Sequence, residues 1–207
     1  MQLVIFDTEF TAWLGSQQRN WSEEWEQREL IQLAAVKISL SDEGVELLSS
    51  FNEVVKPKVN MQLSGYIIDL TGISQAMVDD MGVDFASSLE LFYKFCQNGE
   101  LPCFAWGHDE KILRENCQLN HLDMPHFSGG FFNLNQIARN ANIDGAHLCS
   151  GDLAHQLGLE LSGRTHNALY DVRSIALALD HWVINGLFSS AQLMPGEHTR
   201  QKQFNQS

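Results

Sequence analysis

The feature that most limits how this chain can fold is the order of its elements. A hairpin of β-type runs comes first, and helical segments alternating with short apolar runs come after it. Leu30–Leu40 is dense in Ile, Leu, Val and Ala and partly alternates, Ser41-Asp42-Glu43-Gly44 reads as a turn, and Val45–Val55 reads as the returning strand, stopped by Pro57. Ahead of the hairpin, Gln2–Phe6 reads as a short buried strand ended by the acidic and threonine residues that follow. Beyond it, Leu63–Leu70, Ser74–Met81 and Phe85–Cys96 have helical character, with Asp84 placed to cap the third. Cys103–Trp106 is a compact apolar strand, His108–Leu119 a helix, and Phe131–Leu134 another strand, followed by short helices near Gln136–Asn142 and Asp152–Leu157. The most periodic segment is Ala168–Val183. This order predicts an α/β fold with a mixed central sheet and helices on both faces. No repeat or low-complexity linker divides the chain, so one domain is expected over residues 1–188 and a polar, frayed tail over 189–207.

Composition narrows the function classes. With 44% hydrophobic and 19% charged residues the chain can build a core, which excludes a disordered acidic protein. The net charge is 13 − 26 = −13, and 16 of the 26 acids against 6 of the 13 bases lie in residues 1–100. Binding long nucleic acid through a broad basic surface is therefore not expected, because that needs clustered Lys and Arg. The four cysteines, at 96, 103, 117 and 149, include no CxxC pair and read as free thiols of a reducing compartment. No apolar run approaches transmembrane length and none resembles a leader behind Met1, so the expected location is cytoplasmic, with no membrane partner. Thr11–Glu26 is irregular and carries Trp13, Trp21 and Trp25, as a loop with anchoring aromatics would.

Three places hold acids where chemistry is done in α/β sheets. Asp7 and Glu9 lie two apart at the carboxyl end of the first strand, so their side chains share a face. Adjacent carboxylates repel unless a cation lies between them, and a hard divalent ion such as Mg²⁺ or Mn²⁺ suits oxygen ligands. A solvated strand end explains the pair equally well. Asp109 follows the apolar run Cys103–Trp106 and opens a helix, where an acid also interacts well with the helix dipole. His166 and Asp171 stand five apart, about 140° round a helix, so they converge only if His166 lies in a turn and Asp171 in the helix that follows. Asn167 or Thr165 can cap that helix.

In order and spacing, Asp7, Glu9, Asp109, His166 and Asp171 resemble the signature of the DEDDh 3′–5′ exonucleases, which have the DnaQ-like, ribonuclease-H-like fold. The stretches from Leu63-Ser64 through Leu70-Thr71-Gly72-Ile73-Ser74-Gln75 to Val78-Asp79, and Gly163-Arg164 through His166-Asn167-Ala168-Leu169-Tyr170-Asp171-Val172, resemble the Eri-type exoribonuclease branch. That branch acts on histone mRNA ends, small interfering RNA and ribosomal RNA. The similarity runs over roughly residues 3–183. Two features depart from the branch: His108 stands where a tryptophan commonly precedes the third acid, and no accessory nucleic-acid domain is expected from residues 1–207. The resemblance implies two Mg²⁺ or Mn²⁺ ions held by Asp7, Glu9, Asp109 and Asp171, with His166 as general base. It further implies release of nucleoside 5′-monophosphates from the 3′ end of RNA or single-stranded DNA. Thr8, Phe10, Leu63, Tyr66, Ile73 and Arg164 are the candidate substrate contacts. Two other outcomes stay open: a phosphodiesterase for very short oligonucleotides, favoured by the scarcity of Lys and Arg, and a binding module for RNA ends or a protein partner. The oligomeric state is not legible.

Overall fold

The structure is a computed structural model, described over residues 1–193. Its core is a five-stranded sheet in the order β3-β2-β1-β4-β5. The strands are β1 (Gln2–Phe10), β2 (Leu30–Ser41), β3 (Gly44–Val54), β4 (Cys103–Ala105) and β5 (Phe131–Asn133). β1 and β3 both pair antiparallel with β2, while β4 pairs parallel with β1 and β5 parallel with β4. The expected mixed α/β sheet is therefore present. The hairpin turn is tight, with Ser41 paired to Gly44.

The first strand differs from its expected extent. It does not end at Phe6, because Asp7, Thr8 and Glu9 remain paired with Ala34, Leu33 and Gln32 of β2. The ladder is made by backbone groups, so polar side chains do not end a strand whose neighbour keeps supplying partners.

Alternation along the strands sends apolar side chains to two faces. On one face Leu3, Ile5, Val36, Ile38 and Phe104 pack against Val172, Ile175, Leu179 and Trp182 of α7 (Ala168–Ile184). On the other, Val4, Phe6, Leu33 and Ala105 meet Phe85, Leu89 and Phe92 of α3 (Phe85–Phe95) together with Ile112 and Leu113 of α4 (Asp109–Leu119). A smaller cluster joins Ile31 to α1 (Gly65–Thr71) and α2 (Gln75–Met81) through Leu63, Ile67, Ile73 and Val78. Short helices α5 (Leu134–Asn140) and α6 (Leu153–Gln156), the latter preceded by a 3-10 turn at Ser150–Asp152, complete the α7 side. Asp84 caps α3 as expected, its Oδ1 accepting the Ser87 N–H at 2.9 Å.

Part of the expected tail is structured. Ser190–Leu193 forms a 3-10 turn, and Leu193 is buried in the same cluster as Phe188, so apolar contact holds these residues to the domain. Residues 194–207, the rest of the expected tail, lie outside the described residues. Among the described residues all four cysteines are free, and no helix is long and apolar enough to cross a membrane.

Candidate active site

The α7 face of β1 carries Leu3, Ile5, Asp7 and Glu9 in succession, so the two acids continue an apolar row toward the start of α7. Ala34, the partner of Asp7 on β2, leaves room beside it. Asp171 lies in the first turn of α7 and points back at the same place. One carboxylate oxygen from each of Asp7, Glu9 and Asp171 falls within 4.8 Å of the other two, a grouping able to hold a metal ion.

Asp109 opens α4 and is held from the neighbouring strand. Its Oδ1 accepts the Thr8 backbone N–H at 3.1 Å and the Thr8 hydroxyl at 2.6 Å. It stands outside the three-carboxylate grouping, yet close enough for its charge to act on Asp7 and Glu9. Thr8, expected at the substrate, thus spends its hydroxyl on an acid of the site.

Four carboxylates around one point hold their protons tightly. Asp7 is raised well above the usual carboxyl range, by burial first and then by the charges of Asp109, Glu9 and Asp171. Glu9 is pushed up to about 8 by burial and by Asp171 and Asp109. Asp171 is pushed up to about 7 by burial, opposed by the Ser150 hydroxyl and the His166 backbone N–H. Burial also raises Asp109, against the lowering effect of its two bonds from Thr8.

A cation answers this arrangement, and one atom asks for it directly. Asp171 Oδ2 accepts from the Ser150 hydroxyl at 3.2 Å, but its Oδ1 is buried with no hydrogen-bond partner. Leaving such an oxygen unpaired costs about 1–3 kcal/mol or more. Ligation by a divalent ion would satisfy it and relieve the repulsion, so the donor set fits a hard metal.

The loop before α7 takes the expected form. Asn167 caps the helix through its side chain, and His166 precedes it as an exposed residue with φ of 60°, in the left-handed region. His166 and Asp171 are thus on turn and helix respectively, the arrangement that their convergence would require.

Sequence reasoning missed the supports of Asp171. Ser174 donates to the Ser150 carbonyl at 2.7 Å and accepts the Ala154 N–H at 3.0 Å, fixing the turn that presents the Ser150 hydroxyl. Gly151 is required sterically, because a Cβ there would lie 2.6 Å from Asp171 Oδ1. Nothing in Cys149-Ser150-Gly151 marks it as part of a site; it belongs to one only through the packing of α6 on α7.

The candidate substrate contacts are scattered. Leu63 and Ile73 are buried in the α1–α2 cluster, and Tyr66 packs against it. Arg164 is exposed, but its Nη2 donates to the Asp69 and Leu70 carbonyls at 2.5 and 3.1 Å, closing the end of α1. Phe10 packs on the edge of the α3–α4 cluster, its ring 5.5 Å from that of Trp21. A cleft of about 200 Å³ opens at the start of α4, lined by Phe6, Gly107, His108, Lys111, Arg114 and Asn133 among others.

Fold and site together define a class: an α/β domain with acids from the central strand, from the helix after its parallel neighbour and from the last long helix converging at one strand end. The sequence profile of the Exonuclease (RNase_T) family matches residues 4–179, and the chain belongs to that family. Among its relatives, 3′-5′ exoribonuclease 1 of Rattus norvegicus is 30% identical over 151 residues, 67% of this chain and 43% of that protein. The 3′-5′ exonuclease crn-4 of Caenorhabditis elegans is 27% identical over 176 residues, 76% of this chain and 57% of that protein. The chain thus spans about half the length of these relatives or less. The solved nuclease domain of 3′hExo, a DEDDh family member bound to rAMP, superposes with a TM-score of 0.71 at 25% identity, covering 90% of this chain and 93% of that one. The resemblance to DEDDh exonucleases and the expected fold are both upheld.

Proposed function

We propose that the chain is a metal-dependent 3′–5′ exonuclease that removes nucleoside 5′-monophosphates from the 3′ end of RNA or single-stranded DNA. The observation that carries this is the convergence of Asp7, Glu9 and Asp171, with a buried Asp171 oxygen lacking any protein partner. These three residues would hold Mg²⁺ or Mn²⁺, with Asp109 ligating a second ion directly or through water. Bound there, such ions would supply charge stabilisation to the oxygens of the reacting phosphate.

His166 supplies the base. It stands in the turn that leads into the helix bearing Asp171 and faces solvent. Imidazole changes charge near neutral pH, so it can take a proton from the attacking water and pass it to bulk. Thr8 fixes Asp109 and thereby keeps the fourth carboxylate aimed at the site.

Several arginines are already engaged by protein groups. Arg164 is engaged by α1, Arg28 pairs with Glu115, Arg19 with Glu26, and Arg114 with Glu110 at 2.7 Å. With these arginines engaged, fewer cationic groups among the described residues are free to neutralise distant phosphates, which supports a second reading in which the substrates are oligonucleotides a few residues long.

One experiment tests both. Purified protein is given 5′-labelled RNA and DNA strands of about two to twenty nucleotides with Mg²⁺ or Mn²⁺, beside an Asp7→Asn control. The expected result is a ladder shortening from the 3′ end, absent in EDTA and in the control. A rate that falls steeply with length selects the short-substrate reading. Equal activity of the Asp7→Asn protein sinks the assignment of the site.

A further inference from the structure

A buried amide side chain beside the site takes no part in that chemistry. Gln32 is 3% exposed and is the direct partner of Glu9 across the β1–β2 ladder. Directly paired residues of antiparallel strands point to the same face with Cβ atoms about 5 Å apart, so Gln32 faces the start of α7 beside Glu9.

Its two polar atoms join three elements. Oε1 accepts the Ala168 backbone N–H at 3.0 Å, and Nε2 donates to Asn52 Oδ1 on β3 at 2.7 Å. Ala168 is the first residue of α7, where backbone amides have no partner within the helix. Asn167 takes the Tyr170 amide at 3.4 Å, and Gln32 takes that of Ala168. Asp171 lies three residues beyond Ala168, on the same side of the helix. The strand neighbour of Glu9 is therefore also the anchor of the turn that carries Asp171.

We propose that Gln32 is a positioning residue for metal binding: through the Ala168 amide it sets the spacing between the Glu9 and Asp171 carboxylates. This rests on the reading that Asp7, Glu9 and Asp171 hold divalent ions. Without the Gln32 oxygen, a buried helix amide loses its acceptor and the first turn of α7 is released from the sheet. The ligand oxygens then no longer meet at one point without cost. Groups that orient metal ligands in this way are commonly worth 10–100-fold in metal affinity.

The test is calorimetric titration of Mn²⁺ into metal-stripped, full-length protein, with wild type compared to Gln32→Leu, Gln32→Glu, Asn52→Ala and Asp7→Asn. Thermal unfolding in EDTA runs in parallel. Wild type should bind Mn²⁺ and Asp7→Asn should not. Gln32→Leu should bind at least about tenfold more weakly. Gln32→Glu keeps an acceptor for Ala168 and should bind at wild-type affinity or tighter. Asn52→Ala removes only the far hydrogen bond, so it should lower the melting temperature while leaving Mn²⁺ affinity near wild type.

Wild-type affinity in Gln32→Leu overturns the proposal, as does an Asn52→Ala loss equal to that of Gln32→Leu, which would mean general loosening. If Gln32→Leu does not fold, a folded Gln32→Glu protein with tenfold weaker binding overturns it instead. Binding in wild type that survives Asp7→Asn refutes the metal assignment itself, a distinct outcome that removes the basis for a positioning role.

Discussion

Replacing Glu9 by glutamine should make the protein more stable without metal and less stable with it. In the folded chain burial and the Asp171 and Asp109 charges push Glu9 from an ordinary value near 4.5 up to about 8. The folded state therefore binds this proton more tightly than the unfolded state does. Stability is full below about pH 4.5, falls as pH rises through that window, and levels off above about pH 8. At about 1.4 kcal/mol per pKa unit, the shift caps the cost at about 5 kcal/mol. An independent figure comes from geometry: two carboxylates within 4.8 Å repel by about 3 kcal/mol at an effective dielectric of about 20. Glu9 is partly exposed, which screens the charge, so about 2–4 kcal/mol is expected for its removal. In EDTA at pH 8 Glu9→Gln should then melt roughly 4–16 °C above wild type, at about 2–4 °C per kcal/mol for a domain of this size. The gap should close toward pH 5. Mn²⁺ at about a hundred times its dissociation constant should add about 2.7 kcal/mol to wild type and little to the variant, narrowing or inverting the order. Scanning calorimetry in EDTA and in Mn²⁺ across that pH range measures all of this. A variant no more stable than wild type in EDTA at pH 8, or equal stabilisation of both by Mn²⁺, refutes the account of a repulsive, cation-seeking site.

Three further outcomes test the rest of the site. His166→Asn should preserve the turn, because asparagine tolerates the left-handed backbone seen there, while turnover falls by about 10²–10⁴; unchanged turnover would remove the base. Gly151→Ala places a methyl group 2.6 Å from Asp171 Oδ1, so it should cost about 1–3 kcal/mol and weaken Mn²⁺ binding, read by calorimetry and titration. Thr8→Val removes a hydrogen bond that lowers the Asp109 pKa, so the acid limb of the pH–rate profile should move to higher pH; a fixed limb would detach Asp109 from the reaction.

Much of the architecture was legible because it is written in local chemistry. The hairpin follows from an apolar run, a four-residue turn and a returning run of strand length, and α7 from a periodic run behind Asn167. The end of β1 was not legible, since its polar residues stay in the sheet through backbone pairing with β2. The surroundings of the candidate substrate contacts were not either. Arg164 bonds across 94 and 95 residues to the carbonyls that close α1, and Leu63 and Ile73 are drawn into the core by helices that no local pattern places against Ile31.

The candidate acids could be named from the sequence alone. Asp7 and Glu9 share a face by the two-residue period of a strand, and the five-residue gap from His166 to Asp171 keeps those two off a common helical face. Tertiary structure decided what those acids are to one another. Packing of α7 across β1 and β2 brings three carboxylates within 4.8 Å, leaves Asp109 in the hands of Thr8, and strands one Asp171 oxygen without a partner. It also recruits Gln32, Ser150 and Gly151, whose local sequence carries no sign of a site. Repulsion, burial and unmet hydrogen bonding depend on distances between segments far apart in the chain, and only the packed fold sets those distances.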